Sequence, residues 1–110
     1  MHRLVLLAFV TLVYPGAALV IAKDVGTLKA TAGITDKVLI IRNNTGGSLT
    51  ACNIYVNSRF ELRGVDIPVS GREFRWPAFM TRNDVRFDPA LDEAKRVHIL
   101  CREGDVALSE

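Results

Sequence analysis

Histidine and cysteine are scarce in this chain, two of each among 110 residues. A metal centre needs three or four converging ligands, and two cysteines do not supply them. A thiol–disulfide redox motif would hold its cysteines two residues apart, whereas these stand at Cys52 and Cys101. Neither sign of charge dominates: 14 Lys and Arg face 12 Asp and Glu, a formal charge of +2. Such a balance gives no electrostatic case for nucleic acid, which asks for a basic face. Repeats, low-complexity tracts and linkers rich in Gly, Ser or Pro are also missing, so 110 residues imply one domain. No cofactor motif stands out.

What is present begins with an apolar leader. Residues 1–22 open with Arg3, run apolar from Leu4 to Val13, and break at Pro15-Gly16. Small residues then offer cleavage after Ala18, with Gly16 two positions before it, or after Ala22, with Val20 before it. This is the layout of a secretory signal peptide, and the charged Lys23-Asp24 directly after Ala22 favours that site. The competing expectation is an uncleaved inner-membrane anchor, since residues 4–22 carry no charge and just reach spanning length. No cysteine follows the apolar run, so a lipid anchor is not supported. The expected location is periplasmic or secreted, with no membrane span after cleavage.

Residues 23–110 read as a single all-β domain. Lys37 to Arg42 is a β-branched run closed by Asn43-Asn44-Thr45-Gly46-Gly47. In Leu49 to Asn57 the alternation puts Thr50, Cys52, Ile54 and Val56 on one face. Phe60 and Leu62 alternate with Glu61 and Arg63, and Phe74 and Trp76 with Glu73 and Arg75. Pro77 stops that strand, having no N–H to donate. A long connection over 77–95 follows, with one helical turn expected at Asp92 to Lys95. Arg96 to Arg102 returns to strand with Val97, Ile99 and Cys101 in phase. Further strands are expected near Val25 to Thr31 and, frayed, near Val106 to Leu108. Six or seven short strands at this spacing imply a small antiparallel two-sheet β-sandwich.

Cys52 and Cys101 both fall on the apolar phase of their strands, which makes them disulfide candidates in an exported protein. The alternative is two separate buried thiols. A bridge over a loop of about fifty residues is worth roughly 4 kcal/mol on the chain-entropy model.

Chemistry-bearing residues are few. His98 faces away from Ile99 and Cys101, toward solvent, with no motif marking a nucleophile beside it. Asp84, Asp88, Asp92 and Glu93 lack the alternation and the glycine of a calcium loop, which leaves loop solvation or turn capping as their role. Arg75-Trp76-Pro77-Ala78-Phe79-Met80 is the most distinctive stretch. Arg75, Trp76, Phe79 and Met80 form a candidate contact loop, aromatic and Arg side chains being enriched at binding hot spots. Core packing is the competing and favoured role for Trp76 and Phe79. Phe87 is expected as a plug beneath its own loop. Asn43-Asn44-Thr45 matches the N-glycosylation sequon.

From Val38 to Cys101, about three-fifths of the chain, the succession of strands and turns forms a familiar pattern. A β-branched strand, an Asn/Gly turn, an alternating strand ending in Val56-Asn57 and an aromatic strand lead to Arg86-Phe87-Asp88-Pro89 and a closing Val97-x-Ile99 strand. This resembles the small immunoglobulin-like or fibronectin-type-III-like β-sandwich domains of exported bacterial proteins. The resemblance implies no enzymatic activity. The spacing of Cys52 and Cys101 suits a bridge between sheets of the immunoglobulin kind, with Trp76 nearly midway between them. The expected function is a non-catalytic binding module of the periplasm or cell envelope with a protein partner. The alternative is a small secreted inhibitor or accessory subunit of an envelope enzyme, reaching its target through the Arg75–Met80 loop.

Overall fold

Alternation of apolar and polar residues puts one side of each long strand indoors, and two antiparallel sheets result. The computed structural model of the chain describes residues 19–21 and 23–110. The leader's residues 1–18, and Ala22, lie outside the described residues. Nine strands are described: β1 (Leu19–Ile21), β2 (Lys23–Gly26), β3 (Ala30–Ile34), β4 (Val38–Asn43), β5 (Leu49–Val56), β6 (Phe60–Ile67), β7 (Arg72–Arg75), β8 (Arg96–Cys101) and β9 (Gly104–Ser109). One sheet has the order β1-β3-β4-β7 and the other β2-β9-β8-β5-β6. The two pack face to face as a β-sandwich, as the strand spacing implied.

Register aligns the core side chains into rows. In the five-stranded sheet Leu108, Val97, Val56 and Phe60 face one another across four strands, and Val106, Ile99, Ile54 and Leu62 form the next row. Ile21, Ala32, Leu39, Ile41 and Phe74 answer them from the other sheet. Phe87 plugs the open end, stacked on Trp76 at 4.4 Å between ring centroids and edge-on to Phe60 at 5.0 Å.

The sulfur bridge forms, but not between the sheets. Cys52 and Cys101 are joined, with Cα atoms 4.0 Å apart, on β5 and β8, which are neighbours in one sheet. This corrects the inter-sheet expectation. Cys52 is in register with Ile54, and Cys101 with Ile99, so the bridge extends the core rows by one step along the same two strands. The closed loop still spans both sheets, because β6 precedes, and β7 lies in, the excursion to the opposite layer.

Four local expectations change. The single strand foreseen from Val25 to Thr31 is two, β2 and β3, lying in different sheets. The corner between them is held by the Asp105 carbonyl, which accepts from the amides of Thr27 (2.8 Å) and Leu28 (3.1 Å). Gly26, at φ +144°, is needed there because a Cβ would collide with that same carbonyl. Thr50 does not share the inward face with Cys52. A bulge at Ala51 (φ +50°) shifts the phase, so Leu49 is buried and Thr50 only half so. The C-terminal strand is not frayed, since β9 lies between β2 and β8 and is paired on both sides. Asp92 to Lys95 is not helical. The turn comes earlier, with the amides of Leu91 and Asp92 donating to the Asp88 carbonyl.

Glu103, in the tight β8–β9 turn, reaches across to Thr50. Its carboxylate accepts from the Thr50 hydroxyl (2.7 Å) and backbone amide (2.9 Å). Those two bonds, the hydroxyl's first, hold the carboxyl below its ordinary range. The folded pKa is therefore the lower one. The contribution to stability is present above the unfolded-state value of about 4.3 and is lost as pH falls through the folded value. Glu103→Gln is expected to lower the urea midpoint at neutral pH, where the parent's carboxylate is ionised, and to leave it nearly unchanged at acid pH, where the parent's carboxyl is already protonated, so that the profile across pH is flatter.

Candidate functional site

The outer face of the five-stranded sheet is open to solvent, since its inner face is taken up by the core. One row crosses all five strands there: Val25, Ala107, His98, Tyr55 and Glu61, each opposite the next. Val25 is 75% exposed, and Leu100, in the adjoining row, is exposed as well. His98 faces solvent as its strand phase requires, and its Nε2 lies 2.9 Å from Asp105 Oδ2. Both partners are close to half exposed. The Tyr55 ring lies 5.9 Å from the His98 ring, and the Arg63 guanidinium lies 6.0 Å from the Tyr55 centroid on the other side. Arg63 Nε also donates to Glu61 Oε1. The result is a continuous band, Glu61–Arg63–Tyr55–His98–Asp105, across the middle of the sheet.

A shallow hollow borders Tyr55 toward the β5–β6 turn, lined by Ser58, Arg59, Glu61, Arg63, Thr81 and Arg82 among others. Three arginines against one glutamate make it cationic at neutral pH. The turn that shapes it places Asn57 and Ser58 at φ +55° and +58°, with Arg59 N donating to Val56 O (3.1 Å). Two successive residues in the left-handed region match the twist of a two-residue hairpin. Asn57 anchors the turn from below: its side-chain oxygen accepts from Lys95 N (2.8 Å), and its amide nitrogen donates to Glu93 O (2.8 Å).

The residues singled out from the sequence are placed as follows. Trp76 and Phe79 are core residues, 1% and 0% exposed, 5.8 Å apart between ring centroids. Trp76 Nε1 donates to Thr35 O at 2.8 Å, so its polar edge is satisfied inside the fold. Arg75 is exposed and Met80 half-buried. The Arg75–Met80 stretch therefore offers no apolar contact patch, because Pro77 turns the chain through a single 3₁₀ turn that drives both aromatic rings inward.

Two acids of the long connection, Asp88 and Asp92, cap its turn. Asp88 Oδ1 accepts from Ala90 N (2.9 Å), Asp92 Oδ2 accepts from Asp88 N (3.0 Å), and Asp84 occupies a left-handed position at φ +63°. Among the described residues no group of three or more His, Cys, Asp or Glu is placed to hold a metal ion. None of their helices is long and apolar enough to cross a membrane. The described cysteines are consumed in the bridge, and the described contacts of the His98 side chain are with Asp105 and Tyr55 rather than with a serine or thiol.

Asn43, the sequon asparagine, is structural. It is 7% exposed, and its side-chain nitrogen donates to the carbonyls of Gly47 (2.8 Å), Pro68 (3.2 Å) and Ile67 (3.3 Å). Its oxygen accepts from Thr45 N (3.0 Å) and Thr45 Oγ1 (2.7 Å). The nitrogen a glycan would use is buried and engaged, so the folded chain does not present the sequon. Asn43→Asp replaces the donor with an acceptor facing three carbonyls. We expect a loss of about 2–3 kcal/mol in a denaturant titration.

The band is not legible in the sequence because its partners come from four strands. One signal was there: Cys101 pairs with Gly104 across a two-residue turn, which brings His98 and Asp105 to neighbouring positions on one face. No family model matches the chain, and comparison with curated proteins and with solved structures finds no match either.

Proposed function

We propose that this chain is an exported, non-catalytic binding module of the periplasm or cell envelope that grips a protein partner with the outer face of its five-stranded sheet. Support for export comes from the apolar leader and from the Cys52–Cys101 bridge, a bond that persists in oxidising compartments. Support for an immunoglobulin-like arrangement comes from connections that pass between the sheets after β4, β6 and β7. The observation that carries the binding role is Tyr55, half-buried on the outer face, set between His98 and Arg63 and beside Arg59 and Arg82. Tyrosine and arginine are enriched at interface hot spots, and here Tyr55 and Arg63 stand on the paired strands β5 and β6, with Arg59 and Arg82 in the turn and connection beside them. The cationic hollow selects a partner whose contact surface is acidic.

Capture from a periplasmic fraction tests the reading, with a folded Tyr55→Ala/Arg63→Ala variant as control. A specific protein is expected with the parent chain, reduced at least tenfold with the variant and weakened by added salt. Reproducible turnover of a substrate with no captured partner would sink it.

A further inference from the structure

The N-terminal strand has a consequence for how the chain is processed. β1 is the outer strand of the four-stranded sheet, with Leu19 opposite Ile34, Val20 opposite Gly33 and Ile21 opposite Ala32. The strand it joins buries two alanines, Ala30 and Ala32, with Ile34 only partly buried at its end. Ile21, 0% exposed, supplies the apolar bulk at this corner of the core. One residue later the chain enters β2, the outer strand of the opposite sheet, paired with β9. The segment from Leu19 to Gly26 therefore closes one side of the sandwich by pairing first with one layer and then with the other.

Of the two small-residue sites in the leader, cleavage after Ala22 would discard β1. It would leave β3 as a bare edge and open a hollow over Ala32. Cleavage after Ala18 would retain the whole strand, and Gly16 and Ala18 meet the small-residue requirement better than Val20 and Ala22. Resting on the export reading above, we infer that the exported chain is cut between Ala18 and Leu19, so that its new N-terminal strand is part of the fold. The leader ends where the first strand begins.

Intact-mass analysis and N-terminal sequencing of the full chain, expressed in a secreting bacterial host, decide the matter. The expected product starts at Leu19 and contains the bridge. A product starting at Lys23, or at any other residue, overturns the inference while export stands. An uncut chain in the membrane fraction also overturns it. An uncut chain in the cytosol with both thiols open to alkylation overturns the export reading itself. Two leader variants add an independent arm. Ala18→Leu is expected to raise the uncut fraction at least tenfold, and Ala22→Leu to leave the cleavage point unchanged. The reverse pattern would place the cut after Ala22.

Discussion

Replacing Cys52 and Cys101 together by Ala is expected to lower the unfolding free energy by about 4 kcal/mol. The bridged residues are 49 apart, and the loop between them carries the chain through β6 and then into β7 of the opposite sheet. In the unfolded chain the bridge removes the conformations in which β5 and β8 are far apart. Those two strands form the middle of the five-stranded sheet, and their pairing is non-local, so its closure entropy is large. A domain of this size has a net stability of about 5–10 kcal/mol, so the double variant should sit near the edge of folding. The check is a urea titration of the oxidised parent, the reduced parent and the double variant. The two thiol-free or reduced forms should share a midpoint well below that of the oxidised parent. Coincident midpoints for all three would show that the bridge contributes nothing beyond packing.

Trp76→Ala is expected to cost about 3–5 kcal/mol, the range for removing a large aromatic side chain from a core. The indole packs on two rings, Phe87 stacked at 4.4 Å and Phe79 tilted at 5.8 Å, and Phe79 in turn meets Phe74 edge-on. Truncation empties the centre of that cluster and leaves the Thr35 carbonyl without its indole donor. Trp76→Phe separates the two effects. It retains most of the apolar contact and loses the hydrogen bond, with an expected cost of about 1–2 kcal/mol. Thermal or urea unfolding followed by circular dichroism reads both variants, since the substitution removes the only tryptophan from fluorescence. If Trp76 were a surface anchor, Trp76→Ala would leave stability within about 0.5 kcal/mol of the parent.

These two outcomes bear on function as well as stability. Partner binding measured on a folded Trp76→Phe protein should be unchanged, because the ring is on the inner side of the sandwich. Tyr55 and Arg63 are on the outside, and changing them should alter binding without moving the unfolding midpoint appreciably. That outcome would assign the sandwich's inner side to folding and the outer face of the five-stranded sheet to the proposed recognition.

Much of the layering was legible in the order of residues, because a strand's side chains alternate and burial follows that alternation. Ile54 and Val56, Val97 and Ile99, and Phe74 are where the alternation puts them. The departures have local causes. A positive φ at Ala51, a residue that does not advertise it, slips the phase of Leu49 and Thr50. The leader's apolar character hid β1, since Leu19-Val20-Ile21 suits a signal segment and an outer strand equally.

By itself the sequence determined that the domain is all-β, that its strands bury one face, and that Cys52 and Cys101 point inward, each a consequence of period-two geometry acting within a few residues. Which strands became neighbours was decided only by the tertiary structure. It set β5 beside β8, drew the two cysteines into one sheet, sent β2 and β3 to different layers, and assembled Glu61, Arg63, Tyr55, His98 and Asp105 into one band. Pairing between distant strands depends on how two whole apolar faces close over each other, and no short stretch of residues carries that information.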